Sequence, residues 1–142
     1  MTRLGRSTPQ FPIRRLKLTA GFADFTDGLG AVGTYTPPST YFLPAGAKVL
    51  ATKIVTSVAF SGDTSAVATV GKAGATDDYF GSAASVFAAG TDYGQPATEA
   101  EDLVAADTVP IITVTSGADW GAVNPLAAMT VEITYLDLGA TS

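Results

Sequence analysis

The stretch from Leu43 to Gly71 limits what this chain can fold into more than any other. Pro44 and Gly46 interrupt the chain ahead of it, because proline fixes φ and lacks a donor while glycine tolerates positive φ. From Ala47 to Phe60 the sequence is rich in Val, Ile and Thr, which suit a pleated, half-buried surface. Leu50, Ile54, Val58 and Phe60 share one strand parity, with Thr52 and Thr56 between them. Ser61-Gly62-Asp63 reads as a turn, and Ala66, Ala68 and Val70 continue an apolar face on a return strand. The expectation is a long hairpin at the centre of an antiparallel β domain. Nothing in it looks catalytic.

The flanking sequence adds strands of the same kind. Residues 1–12 read as a basic, extended amino-terminal arm, and residues 13–142 as a single β-sandwich domain. A strand starts near Ile13, with Leu16 and Leu18 on one parity and Arg15, Lys17 and Thr19 on the other; Pro12 favours an edge position. Residues 29–36 predict a weak, glycine-softened strand, and Tyr41-Phe42-Leu43 a short apolar one. Residues 81–84 suit a short helical turn, and 91–106 a polar, acidic surface loop with a short strand near Asp102–Ala105. Thr108–Thr115 predicts a strand in which Pro110 marks an edge or a bulge. The last strand is clearest: Ala127, Met129, Val131, Ile133 and Tyr135 face one way, and Thr130, Glu132 and Thr134 the other. About seven to eight short strands, no convincing helix and no exact repeat give an all-β class, an antiparallel β-sandwich or jelly roll.

Charge is distributed unevenly. Arg3, Arg6, Arg14, Arg15 and Lys17 are five of the eight basic residues, and no acid occurs before Asp24. The rest of the chain sets three lysines against thirteen acids, for a net charge of -5. A basic arm on an acidic body suits docking onto an acidic surface, such as that of a neighbouring subunit; the plainer alternative is a solvated tail beside a cationic strand. Nucleic acid is disfavoured because the acidic body repels phosphates. No apolar run approaches the roughly eighteen residues that span a bilayer, and no signal peptide is visible, so a soluble protein is expected, with no membrane partner.

Candidate chemistry is sparse. The chain has no cysteine and no histidine, which excludes disulfides, thiolate metal sites and imidazole catalysis. Gly28-Leu29-Gly30-Ala31-Val32-Gly33 matches G-x-G-x-x-G, but Thr-Tyr-Thr-Pro-Pro follows it and no acid occurs between Gly28 and Gly62. Asp77-Asp78 with Asp63, or Asp24 with Asp27, lack the spacing of a known calcium loop and read as solvated turns. The expectation is no enzyme, no cofactor and no metal. Trp120, with Tyr79, Phe80 and Tyr93, offers aromatic groups for a glycan platform or an interface, although packing is their commoner fate.

Several of these motifs carry a resemblance. Leu43-Pro44-Ala45-Gly46-Ala47, Ala59-Phe60-Ser61-Gly62, Ala68-Thr69-Val70-Gly71, Asp77-Asp78-Tyr79-Phe80 and Met129–Tyr135 together resemble a pattern of tailed-bacteriophage virion proteins over about residues 29–138. The resemblance implies a head decoration (cement) protein of β-sandwich or jelly-roll type. Such a protein sits on the capsid exterior, partners the major capsid protein and commonly itself as a homotrimer, and stabilises the shell by bridging capsomers. The alternative is a head-fibre or tail-associated β module that binds host-surface glycans. The basic stretch of residues 1–17 lies outside the matched span, and it is by charge that Arg3, Arg6, Arg14, Arg15 and Lys17 are the expected capsid or inter-subunit contacts.

Overall fold

The computed structural model describes residues 12–27, 30–80, 83–96 and 103–138. Among them nine strands form two antiparallel sheets, joined by loops and two single-turn 3-10 segments. The strands are β1 (Ile13–Gly21), β2 (Thr26–Asp27), β3 (Val32–Tyr35), β4 (Ala47–Val58), β5 (Ala66–Gly71), β6 (Ala84–Ser85), β7 (Gly90–Gly94), β8 (Ile111–Ser116) and β9 (Ala128–Asp137). One sheet runs β1-β9-β4-β7 and the other β2-β3-β8-β5-β6. The expected all-β sandwich is the observed architecture.

Four pairs nest within one another: β1 with β9, β3 with β8, β4 with β7, and β5 with β6. The chain is therefore one long ribbon doubled back at β5–β6 and then rolled, so that β4 also meets β9 and β5 also meets β8. Rolling buries one side of the long strands, while β2 and β7 at the sheet edges contain no buried residue. Leu18, Ile54, Val131 and Ile133 from the first sheet face Ala68, Val70, Ile112 and Val114 from the second, all fully buried.

The predicted central hairpin does not exist. β4 and β5 lie in opposite sheets, and the 59–65 connection arches between them. Alternation specifies which side of a strand is buried but not which sheet it joins, and two strands facing across a core show the same pattern as two strands paired side by side. Both edges of β4 are already taken, by β9 and β7. Gly62, at φ 105°, supplies the sharp bend of the arch.

Two bulges in β4 also break its parity. Ala47 and Val49 are buried, the register then slips at Leu50, and Thr52, Ile54 and Thr56 are buried instead. Leu50 and Val58, expected inside, are exposed. A second slip precedes Val58.

Other differences are local. β7, Gly-Thr-Asp-Tyr-Gly, is a strand where a polar loop is expected; its glycines and Asp92 are poor strand formers, and the ladder to β4 holds it. β8 is central rather than an edge, and Pro110 is accommodated because the strand begins one residue later. Tyr41-Phe42-Leu43 reduces to a bridge between Leu43 and Thr108. Ala84–Ser85 is strand β6 where a helical turn was expected, residues 81–82 of that turn lying outside the described ones. Leu103 bridges to Lys48, while Asp102 falls outside the described residues. β1, an edge strand after Pro12, and β9, with its alternation, match the sequence reading.

Candidate interaction surface

Side-chain parity decides what each sheet shows to its surroundings. On β1 the inward set is Leu16, Leu18 and Ala20, so Arg15, Lys17 and Thr19 point outward. On β9 the inward set is Met129, Val131, Ile133 and Tyr135, which turns Thr130, Glu132 and Thr134 outward. Beyond the Leu50 bulge, Lys53 and Val55 join them. Without that extra residue the parity of Ala47 and Val49 would have carried Lys53 into the core.

The result is a rung across all four strands: Lys17 opposite Glu132, Glu132 opposite Lys53, and Lys53 opposite Tyr93. Arg15 lies diagonally, its Nε 3.7 Å from Glu132 Oε1. Three cations thus surround one carboxylate, and the 75% exposed Tyr93 ring closes the row. Shallow depressions of about 230 and 240 Å³ flank the rung. Both fall below the roughly 300 Å³ at which small-molecule pockets begin, so the face is suited to contact with a surface. Arg14, on the inward parity at the rim, pairs with Asp137 at 3.1 Å.

The outer face of the other sheet is different in kind. Thr26, Thr34, Thr113 and Thr69 form a rung across β2, β3, β8 and β5. The next rung is Val32, Thr115, Val67 and Ser85, and neither carries a charge.

The expected site residues are distributed as follows. Arg3 and Arg6 lie outside the described residues. Arg14, Arg15 and Lys17 belong to the edge strand β1, and Arg15 and Lys17 share the cationic face. Lys53, which completes that face, is not among the expected contacts; the parity of Ile54 already turns it outward, but its place beside Glu132 follows from the pairing of β4 with β9, which alternation does not reveal.

The aromatic platform is corrected. Trp120, Tyr79 and Phe80 are 1%, 1% and 3% exposed and cannot stack on a sugar. Trp120 stacks on Phe22 with centroids 5.2 Å apart and also packs against Phe25 and Phe60. Burial, with Asp78 alongside, pushes the Tyr79 hydroxyl up to about 12. Of the four, only Tyr93 is available to a partner.

Of the carboxylates expected in solvated turns, Asp24 is exposed and Asp63 half-buried, and both accept from backbone N–H groups, whereas Asp78 is buried beside a lysine. Asp24 accepts from Gly21 N at 2.8 Å, and Asp78 meets Lys72 at 3.4 Å. Asp63 accepts from Thr64 N through Oδ1 and from Ala118 N and Asp119 N through Oδ2, each at 2.8 Å. These backbone hydrogen bonds hold its carboxyl down to about 2. Among the described residues no group of three or more potential ligands is placed to hold a metal ion.

No family model matches the chain, and no curated protein sequence does. Solved structures do. A chain in the acidic stable capsid structure of Helicobacter pylori bacteriophage KHP30 superposes with a TM-score of 0.61 at 15% identity, covering 95% of this chain and 97% of that one. The capsid of Ralstonia phage GP4 gives 0.58 at 15%, covering 94% and 86%, and the cyanophage Pam1 capsid asymmetric unit gives 0.56 at 20%, covering 90% and 85%. At such identities the likeness is one of fold, and it extends over nearly the whole chain.

Proposed function

We propose that this chain is a structural virion protein of a tailed bacteriophage that decorates the capsid exterior and stabilises it by bridging capsomers. The observation that carries the reading is the near-complete overlap, in both directions, with chains from three phage capsid structures. The strand order supports it: the nested pairs are those of a jelly roll, with β2 added beside β3, and capsid domains use this architecture. The reading assigns no catalysis to the chain. Its task is mechanical, a stiff module with large surfaces offered to neighbours.

The partners in this reading are the major capsid protein and further copies of the chain, as a homotrimer. Contact runs through Arg3, Arg6, Arg14, Arg15 and Lys17 onto acidic surface of the shell or of a neighbour. The test is attachment of the purified protein to phage heads that lack it. Binding that weakens as salt rises, and that weakens further when residues 1–11 are deleted, supports the reading. Deletions should stop before Ile13, because Ile13–Lys17 carry half of an edge strand paired to β9. Absence of binding to heads at any salt contradicts it.

A further inference from the structure

The acids of this chain are not spread evenly around the cationic sheet face. The segments 22–27, 30–31, 59–65 and 117–127 contain Asp24, Asp27, Asp63 and Asp119 and no lysine or arginine. They meet at one end of the sandwich: Trp120 N donates to Gly30 O, Asn124 N to Ser61 O, and Phe22 N to Ala127 O. Asp63 ties two of these loops together through Ala118 N and Asp119 N. The described residues of that end thus include four carboxylates and no cation, while the outer face of β1-β9-β4 presents Arg15, Lys17 and Lys53 around Glu132.

We propose that the outer face of the β1-β9-β4-β7 sheet docks a second copy of this chain, receiving the acidic loop end of that copy. Charge complementarity selects the occupant. A surface bearing Arg15, Lys17 and Lys53 attracts carboxylates, and each copy carries a matching cation-free end. The contact is heterologous, with different patches on the two sides, so it propagates from copy to copy or closes into a ring when the rotation permits. Tyr93 lies at the rim of the face, where a rigid aromatic adds contact area at low entropic cost. The proposal deepens the preceding reading by giving Arg15 and Lys17 to a contact between copies, and it is testable without a capsid.

The experiment is the mass of the purified full-length protein by sedimentation equilibrium, from about 0.01 M to about 1 M salt, over which the Debye length falls from about 30 Å to about 3 Å. Self-association that declines steeply with salt is expected. Arg15→Gln with Lys53→Gln on the face, or Asp24→Asn with Asp119→Asn at the loop end, should each weaken it by about tenfold, the equivalent of about 1.4 kcal/mol. All four changes together should cost much less than the sum, because they remove one shared interaction. Asparagine retains the oxygens that cap Gly21 N and Gly121 N, and circular dichroism confirms folding. A protein monomeric at all salts overturns the proposal. So does association that survives the acid substitutions, which would leave the face to another occupant. Failure to bind heads would count against the capsid reading alone.

Discussion

Gly33 of β3 lies directly beneath the indole of Trp120, so close that a Cβ at this position would overlap the ring. The third glycine of the apparent nucleotide-binding motif is thus explained by packing. Trp120 fills the centre of an aromatic group with Phe22, Phe25 and Phe60, where three loops meet. Gly33→Ala should cost about 1–3 kcal/mol by overpacking, and Trp120→Ala about 3–5 kcal/mol by cavity formation. Urea denaturation measures both.

Two buried threonines on β4 should respond in opposite directions to the same substitution. Thr52 Oγ1 donates to Tyr79 O at 2.8 Å in the core. Thr52→Val strands that carbonyl and should destabilise by about 1–3 kcal/mol. Thr56 Oγ1 is buried with no hydrogen-bond partner, so Thr56→Val removes a desolvated hydroxyl and should be neutral or stabilising by about 1 kcal/mol. Thermal melts of the two variants decide the matter.

The strand pattern shows what was legible in the sequence. β9 and β1 could be read because each keeps a single parity from end to end. The pairing of β4 could not, because its bulges at Leu50 and before Val58 reset the pattern, and because facing strands and paired strands carry the same alternation. β7 escaped because an edge strand of Gly, Thr, Asp and Tyr is held by backbone bonds to its neighbour. The site was half legible. Arg15 and Lys17 stand out by charge, Lys53 joins them only through the pairing of β4 with β9, and Trp120 and Tyr79 belong to the core although their type also suits a binding platform.

Asp63 gives the fold an acid-sensitive clasp. Its carboxyl is held down to about 2 from an ordinary 3.8 by the backbone N–H groups of Asp119, Ala118 and Thr64. A depressed folded-state value means that the stabilisation is fully present above about 3.8 and is lost as pH falls through about 2. Melting temperature should therefore decline between pH 4 and pH 2 in the native protein, and Asp63→Ala should lower it at neutral pH while flattening that decline.

Tyr93 separates contact from stability. With its ring 75% exposed on an edge strand, Tyr93→Ala should change folding stability by no more than about 0.5 kcal/mol. The same variant should weaken association between copies, measured by sedimentation at low salt. Glycan binding through Trp120, Tyr79 and Phe80 is not expected, because these rings are enclosed.

The capsid reading is tested most directly by adding the purified chain to phage heads that lack it and reconstructing the particles by cryo-electron microscopy. The account predicts added density of this sandwich on the outer surface of the shell, spanning neighbouring capsomers and reduced at high salt. Heads that gain no outer density, or density confined to the tail, would contradict it.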